Sequence, residues 1–225
     1  MIFKNIASYK PLESFLYDRI IAPAVVELSL ALQEEITGRI QDNASLLDVG
    51  CGGGQLAIQL HTLRKDLSIL GIDLSSQQIK RALRRRDSLG IPVEFRQGSA
   101  LNLAIEDETF DLVFSSGSIK HWPDPLLGLK ECLRVLKPGG VLLIFEVDQA
   151  CTDEEIDSFV GLWRLPRFMI PLSKRFFRKF VSGRSFTQEG IRSIASQLSL
   201  KTLKISKVTN TIAWMMEGIK PIGGR

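Results

Sequence analysis

The chain has 225 residues, with 29 Lys and Arg against 25 Asp and Glu, and 44% of its residues are hydrophobic. This composition is that of an ordinary globular protein, and the length allows one large domain rather than two full cores. The formal net charge of +4 is too small to indicate nucleic-acid binding by itself. Three widely spaced cysteines without a CxxC pair predict three reduced thiols, with no disulfide framework and no metal site. Residues 1–11 do not resemble a secretory signal, and no apolar run is long enough to span a membrane, so we expect a cytoplasmic protein.

The N-terminal segment, residues 1–42, is predicted to be helical. Apolar residues recur at helical spacing from Leu12 to Ile36, as expected for helices with one buried face. Pro23 is typical of the first turn of a second helix, and Gly38 is typical of its end. Tyr17 lies in this segment and is a candidate for contact with cofactor or substrate, the alternative being ordinary helix packing.

From residue 45 the hydrophobic pattern alternates between short apolar runs and helical stretches. Each run has the length of a strand that is buried on both faces. The predicted strands are 45–49, 67–72, 93–96, 110–114 and 141–146, and the predicted helices are 55–63, 76–89 and 125–135. Ser75 or Ser76 is expected to cap the second of these helices, and Gly90 to end it. The alternation predicts right-handed βαβ crossovers and therefore an α/β fold with a doubly wound parallel sheet.

After residue 150 the alternation is interrupted. A helix is predicted from Asp153 to Phe159, and a second at 187–198 with Thr187 as its N-cap. Strands at 201–209 and 211–216, with a turn near Asn210, would complete the sheet as an antiparallel C-terminal hairpin. We therefore expect one domain over residues 1–225 with a mostly parallel seven-stranded sheet and a lid inserted at about 152–186.

A glycine-rich turn follows the first predicted strand, in Leu46-Leu47-Asp48-Val49-Gly50-Cys51-Gly52-Gly53-Gly54-Gln55. Glycine lets the backbone bend sharply and lets a ligand approach the main chain, and the next helix begins there with free N–H groups. Asp73 ends the second strand, where a carboxylate can accept hydrogen bonds from ribose hydroxyls. A glycine turn followed by an acid roughly 20 residues on indicates a nucleoside-binding site.

A dinucleotide is one alternative, because Gly52-Gly53-Gly54-Gln55-Leu56-Ala57 satisfies the GxGxxG/A pattern. Asp48 argues against it. A carboxylate just ahead of the glycines suits a cationic ammonium group, such as the α-amino group of methionine, whereas it would repel a pyrophosphate.

Four motifs in order resemble the class I S-adenosylmethionine-dependent methyltransferases. They are LLDVGCGGGQLA, GIDLS, FDLVFSSGSIKHWPDP and ECLRVLKPGGVLLI, and together they cover residues 45–146. The most similar group is the type 11, ubiquinone/menaquinone-biosynthesis-like branch. The resemblance implies a Rossmann-like fold, S-adenosyl-L-methionine as cofactor and methyl transfer as the reaction.

The resemblance also implies a role for each matching position. Asp48 would lie near the methionine amino group, Asp73 would bind the ribose, and Leu74 would contact the adenine. Ser99 occupies the place where the family commonly has an acid that accepts from the adenine amino group. The remaining positions would line the cofactor, with the two serines beside the methyl group: Gly50, Cys51, Gly52, Ala100, Leu101, Ser115 and Ser116.

His121 is the candidate general base for an acceptor that must lose a proton. The alternative is that His121 and Trp122 only shape the pocket, with Trp122 against the substrate. His61, the other histidine, is predicted to lie at the surface, and Arg81, Arg84, Arg85 and Arg86 are predicted to form a solvated helix face.

The segment 158–184 carries seven Lys or Arg, interleaved with aromatic residues, and no acid. It is interpreted as a lid with an apolar inner face and a basic outer face. Transient membrane contact is an alternative use of such a segment, and stacking on single-stranded nucleic acid is another, although a nucleic-acid partner is not expected.

The sequence thus favours an enzyme that methylates a small, apolar or anionic molecule. A non-catalytic S-adenosylmethionine-binding module and an NAD-dependent oxidoreductase remain as alternatives. The acceptor atom and the oligomeric state are left open, because fold does not fix the substrate.

Overall fold

The computed structural model describes residues 22–163, 165–208 and 211–223. The predictions for Tyr17, for a helix before residue 22 and for a turn at Asn210 lie outside these residues.

Seven strands form a single sheet in the order β3-β2-β1-β4-β5-β7-β6. Strands β1 to β5 are parallel to their neighbours, and β7 is antiparallel to both β5 and β6. The strands are β1 Ser45–Val49, β2 Ser68–Asp73, β3 Glu94–Gln97, β4 Phe110–Ser116, β5 Leu136–Val147, β6 Thr202–Lys207 and β7 Ala213–Ile219. The predicted doubly wound sheet with an antiparallel C-terminal hairpin is confirmed.

The described residues include seven α-helices. They are α1 Ala22–Thr37, α2 Gln55–Leu63, α3 Ser76–Leu89, α4 Pro125–Val135, α5 Asp153–Gly161, α6 Ile170–Phe180 and α7 Gln188–Ala195. The predicted caps of α3 and α7 are present, because the Ser75 hydroxyl accepts from Gln78 N–H at 3.4 Å and the Thr187 hydroxyl accepts from Gly190 N–H at 3.0 Å. Gly90 ends α3 in the left-handed conformation, at φ 63°.

The sheet separates two hydrophobic layers. One face packs against α1, α2 and α3 through residues such as Leu32, Leu60 and Ala82. The other face packs against α4 and α7 through residues such as Leu129 and Ile191. Strands covered on both sides explain why their sequences are continuous apolar runs rather than alternating ones.

Strands β4 and β5 extend beyond the ends predicted for them. β5 begins at Leu136, directly after α4, and includes Pro138, Gly139 and Gly140, which precede the start predicted for this strand at residue 141. A register irregularity between β4 and β5 and the positive φ of Gly139, 79°, accommodate that segment as a bulge. β4 continues to Ser116, so Ser115 and Ser116 are the last strand residues rather than loop residues.

The prediction that His61 lies at the surface is wrong. The residue is buried in α2, and its Nδ1 lies 3.1 Å from the Leu67 carbonyl oxygen. A histidine that finishes an apolar helical stretch can turn inward when one ring nitrogen has a backbone partner.

Strand β1 lies between β2 and β4, and the chain changes direction across the sheet at this point. Ligands of doubly wound folds bind at such a switch point, beyond the carboxyl ends of the strands. The loops after β1, β2, β3 and β4 therefore define the place to examine.

Candidate functional site

The glycine turn after β1 is fixed to β2 by its own backbone. The N–H groups of Gly50 and Cys51 both donate to the Ile72 carbonyl, at 2.7 and 3.0 Å. Gly50 has φ +80°, and a Cβ there would lie 1.9 Å from the Ser118 Oγ. Glycine at this position is thus required by the packing of the β4 loop onto the β1 loop, whether or not a ligand is bound.

Gly52 has a different environment. Its φ is +53°, and a Cβ there would meet no atom within 4 Å. The open side of the turn is therefore at Gly52, which is the position where a ligand can reach the main chain.

The Asp48 carboxyl group is buried and only partly satisfied. The residue is 2% exposed, and its Oδ2 has no hydrogen-bond partner among the described residues. Burial, and to a lesser degree the negative charge of Asp73, raise the pKa of Asp48 to about 8. A buried carboxyl oxygen without a donor is costly unless something supplies one, and a bound ammonium group would supply both the donor and the opposite charge. Asp48 therefore fits the ammonium end of the expected cofactor.

Asp73 links the two loops that flank this site. Its Oδ2 accepts from Gly52 N–H at 2.9 Å, and its Oδ1 accepts from Ser75 N–H at 2.8 Å. A carboxylate has about four lone-pair positions, so both oxygens can still accept from ribose hydroxyls. Leu74, which follows, is 60% exposed, and such an exposed leucine can cover one face of a planar base.

The loop after β3 carries the Ser99 hydroxyl next to this edge. Ser99 Oγ accepts from Leu101 N–H at 3.2 Å, so the side chain holds its own turn. Ala100 and Leu101 are half-buried and pack against the α4 side of the sheet. The Ser99 hydroxyl keeps its hydrogen and a second lone pair for a ligand, but it lacks the charge of the acid that the family pattern would place there.

The two serines that end β4 point to opposite faces of the sheet, as successive strand residues do. Ser115 is fully buried, and its Oγ has no hydrogen-bond partner among the described residues. Ser116 is half-buried. Gly117 turns the chain at φ +66° into open space. Ser116 and Gly117 are thus the more open parts of this strand end, and the assignment of Ser115 to the cofactor site stays a prediction.

The loop at 118–122 is held by two side-chain contacts. Trp122 Nε1 donates to Ser118 Oγ at 3.0 Å, and the buried Trp122 ring packs against Gly128 of α4. Lys120 Nζ donates to Glu146 Oε1 at 2.7 Å, with both side chains more than nine-tenths buried. The other oxygen of Glu146 has no partner among the described residues.

His121 lies between these contacts and is exposed at the residue level. The protein around its ring lowers the pKa of His121 by desolvation, and the positive charges of Lys120 and Arg184 lower it further. Glu146 and Asp73 act in the opposite direction. The net direction favours a neutral imidazole at neutral pH, which is the form that can accept a proton.

Cys51 does not act as a nucleophile in this arrangement. Its side chain is buried in the core on the α2 side, and burial, with the charges of Asp48 and Asp73, raises the pKa of the thiol well above its usual value. All three cysteines are buried and free.

Sequence reasoning missed three contributors. Ser118 contacts Gly50 and accepts from Trp122, Glu146 anchors Lys120, and Arg85 donates to the Gly53 carbonyl instead of lying only in solvent. For Glu146 a signal was present, since an acid within the apolar run of β5 calls for a buried cation. The contacts of Ser118 and Arg85 depend on the spacing of separate loops, which the sequence does not encode locally.

The candidate site residues lie at one edge of the sheet, because β1 to β4 are parallel and their carboxyl ends are on the same side. Asp48, Asp73 and Ser116 lie at the ends of strands, and the glycine turn, Leu74, the Ser99 turn and the His121 loop follow them. None of the helices in the described ranges is long and apolar enough to cross a membrane.

Comparison with protein families gives one match over more than half of the chain. Residues 40–165 match a family profile described as a methyltransferase domain. A demethylmenaquinone methyltransferase of Lactiplantibacillus plantarum is 32% identical over 167 residues, which cover 73% of this chain and 69% of the relative. A ubiquinone biosynthesis O-methyltransferase of Parvibaculum lavamentivorans is 35% identical over 103 residues, covering 46% of this chain and 40% of the relative.

Solved structures share the fold. A protein of Methanococcus maripaludis described as an S-adenosyl-L-methionine-dependent methyltransferase superposes with a TM-score of 0.75 at 23% identity, over 100% of this chain and 99% of its own. A phosphoethanolamine N-methyltransferase of Haemonchus contortus in complex with S-adenosyl-L-methionine has a TM-score of 0.70 at 21% identity, over 95% of this chain and 58% of its own.

Proposed function

This chain belongs to the S-adenosylmethionine-dependent methyltransferases of the ubiquinone/menaquinone-biosynthesis-like type, and we propose that its acceptor is the reduced, hydroxylated ring of an apolar quinone. The cofactor is S-adenosylmethionine and the acceptor is a small molecule. The observation that carries the proposal on the acceptor is His121, an exposed residue beyond the end of β4 whose ring is desolvated enough by the protein around it to lower its pKa.

Three parts of the chain are proposed to hold the cofactor. Asp48 pairs in its ionised form with the α-ammonium group, and Asp73 accepts from the ribose hydroxyls on the lone pairs that Gly52 and Ser75 leave free. Leu74 and the turn at 99–101 flank the adenine. When bound, S-adenosylmethionine supplies a methyl group on a positively charged sulfur.

His121 is proposed to take up the proton that the acceptor loses as it gains the methyl group. A phenolic oxygen, or a ring carbon next to one, must release a proton in this exchange, whereas a neutral amine can accept the methyl group first. The buried Lys120–Glu146 pair fixes the loop beside the imidazole, and desolvation, with a smaller contribution from the Lys120 charge, lowers the pKa of His121 and favours the neutral ring. Placing acceptor and methyl donor together can contribute about 7–11 kcal/mol to lowering the barrier.

The relatives support a quinone-type acceptor by their names, which concern demethylmenaquinone in one case and ubiquinone biosynthesis in another. The name of the ubiquinone-biosynthesis relative specifies oxygen as the acceptor atom, whereas the name of the demethylmenaquinone relative specifies no atom. The acceptor atom is therefore left open in this proposal. A base at His121 would serve either atom.

The experiment is a turnover assay with a short-chain demethylmenaquinol, a hydroxylated ubiquinol precursor and an aromatic amine as parallel acceptors. Methylated quinol detected by mass spectrometry, without methylated amine, is the expected outcome. Methylation of the amine alone would contradict the proposed acceptor class.

The role of His121 is tested by His121→Asn, with Lys130→Gln, at an exposed position on α4, as the control. We expect His121→Asn to lower kcat by about 10²–10⁴-fold, the usual contribution of a general base, while calorimetric affinity for S-adenosylmethionine stays unchanged. In the parent enzyme kcat should fall as the pH drops through a pKa below 6.5, since the imidazole must be neutral. Turnover retained by the variant at saturating acceptor would make His121 a residue that only shapes the pocket.

A further inference from the structure

The inner side of helix α6 packs against α5 and the residues beside it. Ser173 and Phe177 are buried, and Phe177 packs with Phe159 and Trp163 in a small hydrophobic cluster. On the same flank Lys174 pairs with Asp157 and Arg178 with Asp153, both acids lying on α5. These two cations are therefore neutralised within the segment.

The outer side of α6 is apolar where a solvated helix would be polar. Leu172, Phe176 and Phe180 are spaced four residues apart, so they share one face. They are 68%, 48% and 40% exposed, and Phe168, just ahead of the helix, is 83% exposed. The predicted basic outer face is thus a stripe of large apolar side chains with basic residues beside it.

The cations beside this stripe differ from those of the inner side. Arg175 and Lys179 are exposed on the same flank of α6, and no carboxylate lies within ion-pair distance of them in the described part of the chain. Lys179 Nζ and Arg184 Cζ each lie 5.4 Å from the centre of the Phe180 ring. The whole stretch from Ser158 to Arg184 contains no acid.

We propose that this outer face, Phe168, Leu172, Phe176 and Phe180 with Arg175 and Lys179, docks on an anionic lipid surface. A helix that places large apolar side chains on one face and cations along their border matches the acyl–headgroup boundary of a bilayer in both polarity and charge. The inference goes beyond the methyl-transfer reaction and does not depend on which acceptor is methylated.

Nucleic acid fits the same residues less well. Stacking requires aromatic rings with an open face. The rings of Phe176 and Phe180 lie 5.1 Å apart and tilted against each other, and the Phe180 ring already carries two cations. Leu172 offers nothing for a base to stack on.

The test is sedimentation of the full-length protein with vesicles of phosphatidylcholine and with vesicles that also contain phosphatidylglycerol. We expect binding to the mixed vesicles, weakened by added salt, and little binding to phosphatidylcholine alone. Arg175→Gln and Lys179→Gln should each weaken binding by about fivefold, the effect typical of one cation near an anionic surface. Phe176→Ser should weaken it by roughly tenfold through lost apolar burial.

Matched controls lie on α3, away from the proposed face. Leu89→Ser removes a leucine that is 58% exposed, and Arg84→Gln removes an exposed cation. Both should bind the mixed vesicles as the parent does, and all variants should keep the parent's affinity for S-adenosylmethionine, which reports that they are folded.

The proposal is overturned if the parent protein does not bind the mixed vesicles, or if the α6 variants bind no more weakly than the α3 controls. Equal binding to both vesicle types would overturn the anionic part of it. A single-stranded oligonucleotide that binds more tightly than the vesicles, and loses affinity with the same α6 variants, would assign the face to nucleic acid instead.

Discussion

The edge formed by Asp48, residues 50–54 and Asp73, here called the cofactor edge, and the segment 152–186, here called the lid, are built in opposite ways. At the cofactor edge a buried carboxyl oxygen lacks a partner, and main-chain N–H groups hold the loops at short range. The lid satisfies its inner cations with acids of α5 and packs its own small core, yet it leaves apolar side chains outside.

This difference has a physical meaning. The cofactor edge is held by short main-chain hydrogen bonds and leaves one buried carboxyl oxygen without a donor, which one small cationic ligand can supply. The inner side of the lid has its cations paired and its apolar side chains buried, whereas its outer side exposes large apolar side chains. An exposed apolar surface of this kind is typical of a surface that binds a larger partner or a membrane. We propose that the lid also covers the acceptor side of the site, because its last residues lie against the carboxyl end of β5, where Ser185 Oγ donates to the Val147 carbonyl oxygen at 2.5 Å and Gln149 N–H donates to the Phe186 carbonyl oxygen at 3.1 Å.

The largest expected effect is a destabilisation of the lid that leaves the cofactor edge unchanged. Phe177→Ala removes a ring that is 1% exposed and packs against Phe159 and Trp163, and such truncations cost about 3–5 kcal/mol. We expect faster amide hydrogen exchange across 153–180 with unchanged affinity for S-adenosylmethionine. Phe168→Ala, at an exposed position, is the control and should change neither. If Phe177→Ala also abolished cofactor binding, the two regions would not be independent.

A somewhat smaller effect concerns the cofactor edge alone. In the free protein the pKa of Asp48 is raised to about 8 by burial, from an ordinary value of 3.8. The folded state therefore holds this proton more tightly than the unfolded state does. The resulting contribution to the free energy of unfolding is fully present below about pH 4 and is lost as the pH rises from about 4 to 8. Asp48→Asn removes the loss and should raise the free energy of unfolding at pH 8 by about 3 kcal/mol, after discounting the cost of burying an amide.

The same substitution should weaken S-adenosylmethionine binding, so stability and affinity move in opposite directions. Urea unfolding of the free protein at pH 5 and pH 8, together with calorimetry, measures both. Glu106→Gln, at an exposed position, serves as the control. An identical pH dependence of stability in Asp48→Asn and the parent would show that Asp48 is not the buried group that titrates.

The third prediction separates two glycines of one turn. Gly50→Ala places a Cβ 1.9 Å from the Ser118 Oγ at a positive φ, whereas Gly52→Ala meets no atom and carries only the left-handed strain. We expect about 3 kcal/mol of destabilisation for the first and about 1 kcal/mol for the second. Affinity for the cofactor should fall more in Gly52→Ala. The double variant Gly50→Ala, Ser118→Gly should recover part of the lost stability, and no recovery would mean that Ser118 is not the obstacle.

The two regions also differ in how far the sequence predicts them. The strand, turn and acid of the cofactor edge follow each other along the chain, so residues 45–54 and 71–75 indicated both the fold and the ligand. The orphaned oxygen of Asp48 and the contact of Ser118 with Gly50 depend on how separate strands meet, and no local pattern shows them.

For the lid, the sequence indicated basic and aromatic residues but not their division between two sides of α6. That division is decided by which cations find acids on α5. Asp153 and Asp157 are four residues apart, as are Lys174 and Arg178, so the pairing is visible only once the two helices are known to lie together. The prediction of a simply solvated basic face failed for this reason.

The smallest expected effect concerns the N-terminal cap of α5, and it tests whether a local sequence motif stabilises the lid. Thr152 caps α5 through a capping box, in which its hydroxyl accepts from Glu155 N–H at 3.2 Å and Glu155 Oε2 accepts from Thr152 N–H at 2.9 Å. Thr152→Ala should cost about 1 kcal/mol and Thr152→Ser almost nothing. Hydrogen exchange should report this loss in the first turn of α5 and leave β1 and β2 unaffected. If the loss instead spread through α6, the capping box would be a condition for the Asp153 and Asp157 ion pairs, and the lid would fold as one cooperative unit from its first turn.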